Sequence, residues 1–176
     1  MTMTPGQRKL ALTAHVTSSV GWFGAVVAYL ALVVGALSRQ DAQTVRAPWV
    51  ALELTGWYAI VPLSLASLLT GLVQSLGTPW GLFRHYWVLF KLVINVVATI
   101  VLLLYMQTLD YLGDVAAATT LSSGQVGGLR NPSPTLHAAA ALLLLLIATT
   151  LAIYKPRGMT RYGQRRQHRR RMVLVR

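Results

Sequence analysis

The residues of this chain with the most chemical reach sit inside long apolar runs, where polar groups are expensive to place. His15, Ser19, Trp22 and Tyr29 follow one another at intervals of four, three and seven, which puts them on one face of a helix. Lys91, Asn95 and Thr99 share a face in a later run. An imidazole such as His15 can ligate a metal, and the Lys91 ammonium can hold an anion. The chain has no cysteine, which excludes disulfides, thiolate metal sites and thioether-linked heme, so a metal would rest on His, Asp, Glu or Met. No nucleophile–base pair, phosphate-binding loop or carboxylate pair is legible.

Four apolar runs must position these residues. A hydrocarbon core of roughly 30 Å takes about 20 apolar residues to cross, and the runs cover about 10–37, 49–76, 86–107 and 136–154. Hydrophobic residues make up 55% of the chain and charged residues 11%. A soluble domain needs roughly 25% charged residues to cover its surface, whereas hydrocarbon needs none. The first run is too long for a signal-peptide core and lacks a convincing cleavage site, so it reads as a retained helix. The expected fold is all-α, an antiparallel four-helix transmembrane bundle over 1–154, with a basic tail over 155–176.

Charge sets the expected orientation. Of 16 Lys and Arg residues, Arg8, Lys9, Arg84 and nine in the tail fall on the side of the termini. Only Arg39, Arg46 and Arg130 fall opposite. Twelve against three places both termini in the cytoplasm of a multi-pass plasma-membrane protein. Trp49, Trp57, Trp80, Tyr86 and Trp87 gather near span ends, where amphipathic rings favour the interface.

Depth then sorts the histidines. His15 lies five residues into its run from Leu10 and Lys91 five from Tyr86, so both sit roughly 7–8 Å deep from the cytoplasmic side. His137 begins the fourth run about a membrane thickness away, which argues against joint ligation with His15. His85 is at the inner interface and His168 in the tail. The second run offers Ser64, Ser67, Gly71 and Gln74 as a small, polar stripe, with Pro62 expected to loosen the helix above it. The fourth carries only Thr149 and Thr150 within its body and reads as a lipid-facing partner. Leu109, Leu112 and Val115 could line a short surface helix in a long outer loop, Thr108 to Thr135.

Plainer roles stay open for each polar residue. Lys91 is shallow enough to snorkel to water. His15 could bond a neighbouring helix or face the headgroups. Asn95 and Gln74 could be interhelical glue, at about 0.6 kcal/mol each. Glu53, in the outer half of the second run, reads as interfacial or protonated, with proton transfer as a further option.

Two segments of the chain resemble a known family. His15 followed by Trp22-Phe23-Gly24 is similar to the opening of the HemJ-type protoporphyrinogen oxidases. Pro62 with Leu69-Thr70-Gly71, and then His85-Tyr86-Trp87-Val88-Leu89-Phe90-Lys91-Leu92, resembles that family's second and third helices. The likeness covers roughly residues 10 to 106, and the wider group includes CopD-like copper-resistance proteins and uncharacterised four-helix proteins. It departs at Ala25 to Leu30, which lacks the family's Arg and His, and His85 stands six residues before Lys91.

The resemblance implies a heme b or porphyrin site of oxidoreductase type. His15 would be the axial ligand and Lys91 the cation near a propionate, with Asn95 and Trp22 beside them. Alternatives are a non-catalytic membrane subunit and a CopD-like metal handler. The partners expected are the bilayer and anionic lipids against Arg161, Arg165, Arg166, Arg169, Arg170 and Arg171. A solvated, partly disordered tail is the other reading. A homo-oligomer is left open, and nucleic acid is disfavoured because Tyr162 is the only aromatic residue of the tail.

Overall fold

The computed structural model describes residues 3–38, 42–78, 81–118, 129 and 131–174; the side chains of 42–45, 169–171 and 173–174 lie outside it. Among the described residues the chain is all-α. Arg39, Asp41, Trp80, Arg130 and the loop around Ser123 fall outside them, as do the side chains of Arg169, Arg170 and Arg171.

Helix α1 spans Pro5–Leu37. It starts where Thr4 and Gln7 cap each other reciprocally: Gln7 N–H donates to Thr4 Oγ1 at 3.3 Å, and Thr4 N–H donates to Gln7 Oε1 at 3.0 Å. Pro5 supplies a first helical residue whose missing N–H is not needed. Helix α2 has two α-helical segments, Ala42–Thr55 and Val61–Gly77, joined by a π-helical turn at Gly56–Ile60. Pro62 explains the turn. It cannot donate to the carbonyl four residues back and would clash with it. The wider coil relieves this, and Val61 N–H bonds the Gly56 carbonyl instead. Gly56 also lets α3 approach, because a Cβ there would stand 2.9 Å from Met106 Cε.

Helix α3 spans Tyr86–Ala117 and α4 spans Ser133–Tyr154. The Leu109, Leu112 and Val115 stripe is therefore the last part of α3, not a separate surface helix. Leu109 and Leu112 stay buried because the three-and-four spacing of the apolar face continues past Asp110 and Asp114. Lys155 ends α4 in the left-handed conformation (φ 42°), with Pro156 following.

The four helices form a ring, with α1 against α2, α2 against α3, α3 against α4, and α4 back against α1. Consecutive helices are antiparallel neighbours, as short connections favour. The fourth helix thus packs on two partners, as each of the others does, and keeps most of its apolar surface on the outside of the ring. All four are long and apolar enough to cross a membrane, with mean hydropathy of 1.7 to 2.5 in their best windows, of which only 11–28% is buried. So much exposed apolar surface suits hydrocarbon and not water.

The first and last described residues, Met3 and Leu174, belong to segments at one end of the bundle, the basic end. A short strap joins the tail to the turn between α2 and α3 there. Met159 forms an isolated bridge with His85, Tyr86 N–H donates to the Gly158 carbonyl at 3.4 Å, and Thr160 N–H donates to the Arg84 carbonyl at 3.0 Å. Thr160 Oγ1 donates to the Phe83 carbonyl at 2.5 Å and accepts from Gly163 N–H at 3.1 Å, which caps the next helix. That helix, α5 (Arg161–Leu174), carries the arginine-rich tail. A Cβ on Gly163 would stand 2.5 Å from the Arg84 carbonyl oxygen, so only glycine allows this approach.

Candidate functional site

At the basic end the four helices do not close on one another. They leave between them a partly open cavity of about 1010 Å³ that every helix of the ring helps to line. Its α2 wall is the stripe of Ser67, Gly71 and Gln74, and its α3 wall contains Lys91 and Asn95. Leu145, Thr149 and Ile153 come from α4, whose alanine and leucine pattern gave no sign of such a role.

His15 lies on the α1 wall, half-buried. Its Nδ1 is 3.2 Å from the Ser67 carbonyl and 3.2 Å from Thr70 Oγ1. Thr70 Oγ1 itself donates to the Ala66 carbonyl at 2.6 Å. The Ser67 carbonyl can only accept, so the geometry assigns the proton to Nδ1 and the lone pair to Nε2. Nε2 has no hydrogen-bond partner among the described residues. A carbonyl behind Nδ1 is the arrangement that orients a ligating imidazole. The ring rests over Gly71, where a Cβ would stand 3.1 Å from His15 Cε1.

Lys91 lines the same cavity, close enough to His15 for their charges to interact, and makes no hydrogen bond among the described residues. Asn95 is one helical turn deeper on the same wall. It is 9% exposed and likewise without a hydrogen-bond partner among the described residues, so its carboxamide is left to the cavity. Arg8 and Lys9 stand at the mouth on α1 and Lys155 on α4.

Trp22 does not join this group. It is 2% exposed, belongs to the hydrophobic core and is not among the cavity residues. It shares a helix face with His15, but that face is buried by the time it reaches Trp22. His85 is held in the strap and His137 lies at the far end, stacked on Tyr105 with ring centroids 4.0 Å apart; neither lines the cavity. Of the tail residues, Arg161, Arg165 and Arg166 are exposed on α5.

The opposite, acidic end contains a grouping that is not apparent in the sequence. Glu53 on α2 faces Asp110 and Asp114 on α3, near enough for their charges to interact. Asp110 accepts from Trp57 Nε1 at 2.6 Å, and the Glu53 carboxylate takes the room that a side chain on Gly113 would fill. The four-residue interval between Asp110 and Asp114 was the available signal. Among the described residues no three metal-ligating side chains converge there or anywhere else. The chain has been compared with protein-family models, curated proteins and solved structures, and nothing matches.

Proposed function

We propose that this is an integral membrane protein, with both termini in the cytoplasm, whose basic-end cavity holds heme b or a related porphyrin. One observation carries the reading: His15 stands on the cavity wall with Nδ1 committed to the Ser67 carbonyl and Nε2 without a partner. The residues fit such a group. One imidazole would hold the iron, and Lys91, with Arg8 and Lys9 nearer the mouth, would face the propionates. A volume of about 1010 Å³ is at the upper end of the usual range for ligand sites, roughly 300–1,000 Å³. When bound, heme would supply one-electron redox chemistry. The chain's own part is to orient the imidazole through Ser67, to exclude water with the apolar α4 wall, and to hold anionic edges.

This reading agrees with the resemblance to the HemJ-type oxidases at His15 and Lys91. A bare-metal handler of the CopD-like kind is less well supported, because the described residues gather no ligand set for an ion. A non-catalytic subunit needs only the bundle and accounts for the Nδ1 bond as an interhelical tie, but it gives no role to Nε2 or to Lys91 on the same cavity wall.

Gently purified protein should show a Soret band. His15→Ala should remove most of it, Lys91→Ala should weaken or shift it while leaving most of the iron, and His137→Ala should change little. Colourless protein that also fails to take up added heme would overturn the reading. Orientation is tested separately. The chain is free of cysteine, so single cysteines placed at Ser123 and Gln164 report sidedness directly. Label impermeant to the membrane should reach Ser123→Cys from outside and Gln164→Cys only after permeabilisation; the reverse pattern would invert the topology.

A further inference from the structure

The cavity is wider than its His15 wall requires, and its extra width lies on one side. Val20 lines it, although Val20 is two residues from both Ser18 and Trp22, which are buried. Two residues are roughly 200° around a helix, so Val20 is on the side of α1 turned away from the core. It is 66% exposed. On α4, Leu146 lies between the buried Leu145 and Ala148, and Ile153 is seven residues on, two turns along the same face; both line the cavity and both are exposed. The cavity therefore continues into a side limb between α1 and α4. Its walls are Val16, Val20 and Phe23 facing Leu146 and Ile153, at a level where the helices are apolar enough to be surrounded by lipid.

Charge fixes which way an occupant lies. The end of the limb nearest the termini is bounded by Arg8, Lys9, Lys91 and Lys155, and the three acidic residues among the described ones all lie at the far end of the bundle. A neutral chain gains nothing from four cations, and a soluble anion gains nothing from an apolar limb. A molecule with both parts uses the whole surface. Asn95 adds a donor and an acceptor below the cations, nine-tenths buried and unpartnered among the described residues.

We propose that the cavity takes a long-chain amphiphile with a single anionic head, a carboxylate or phosphate, which passes sideways from the adjoining leaflet between α1 and α4. Its head sits among Arg8, Lys9 and Lys91, and its chain lies along Val16, Val20, Leu146 and Ile153. The head would take the same cations as the propionates of a porphyrin, so the two occupants exclude one another; this site needs no iron and is tested on protein free of porphyrin.

The experiment uses the full chain in nanodiscs of neutral lipid, with a bimane fluorophore on Val20→Cys. Stearate carrying a nitroxide on its chain is the quencher, and its methyl ester is the uncharged control. Quenching by the stearate should saturate near one per chain, reverse with unlabelled palmitate, and be weak and unsaturable with the ester. Lys9→Gln, an exposed change that leaves the fold alone, should raise the half-saturation concentration about five-fold, and Lys91→Gln by at least as much. Equal, linear quenching by both probes would mean simple contact with bulk lipid and would overturn the proposal. Reversal by millimolar acetate or phosphate as complete as by palmitate would make this a site for soluble anions and would overturn its lipid source.

Discussion

At the acidic end, Trp49, Leu52, Met106, Leu109 and Leu112 fill the space between the helices, and the carboxylates of Glu53, Asp110 and Asp114 stay together around Trp57 and Gly113. At the basic end the same helices leave between them a partly open cavity of about 1010 Å³ walled by Ser67, Gly71, Asn95 and Lys91. The difference follows side-chain size. Large residues meet across the bundle in one half, while small or polar ones face each other in the other. Helices set at one spacing by the first cannot collapse onto the second, because packed interiors deform little. The filled half thus acts as the spacer that holds the other half open.

The largest effect that follows is on stability, and it should be one-sided. Met106→Ala should lose about 2–5 kcal/mol, because its 1%-exposed side chain leaves a void that Gly56 and Leu109 cannot fill. Leu72→Ala, on the cavity wall, already borders open space and should lose under about 1 kcal/mol. Reversible unfolding in detergent reads both, and equal losses would erase the distinction between the two ends.

A smaller effect is expected at the strap. Thr160→Val removes the bond to the Phe83 carbonyl and the cap on Gly163, worth about 1 kcal/mol. Trypsin should then cut between Arg161 and Arg166 roughly five-fold faster, while the membrane helices stay protected. An unchanged rate would mean that the strap is held by backbone bonds alone.

The subtlest contrast is between two polar deletions. Trp57→Phe at the acidic end gives up a 2.6 Å bond to Asp110 and should lose about 1 kcal/mol. Asn95→Leu at the basic end removes a carboxamide without a protein partner among the described residues. It should leave stability unchanged, or raise it by up to about 1 kcal/mol, while ligand binding weakens. Clear destabilisation by Asn95→Leu would show that the carboxamide is structural.

These two halves were unequally legible from sequence. Apolar runs identify the helices, and counting residues from Leu10 and Tyr86 puts His15 and Lys91 at one depth, where the cavity contains both. The end of α3 is obscured because Asp110 and Asp114 interrupt a hydropathy count without interrupting the apolar face of Leu109, Leu112 and Ala116. Trp22 was misleading for the opposite reason: sharing a helix face with His15 does not mean sharing its surroundings two turns later. The α4 wall carries no polar marker, so alanine and leucine read equally as lipid-facing or as cavity lining. The strap is formed mainly by backbone groups, which side-chain patterns do not report.

The strap also bears on the order of assembly. Arg84 and Thr160 are 76 residues apart, and at ordinary synthesis rates of about 5–20 residues per second that gap lasts on the order of ten seconds. The turn between the second and third helices must wait through that interval with its carbonyls unclaimed, until the fourth helix has emerged and the chain behind it can reach back. The last segment made therefore secures a turn made much earlier. A chain cut short before Met159 could insert all four helices and still lack the contact that fastens the tail to the turn between the second and third.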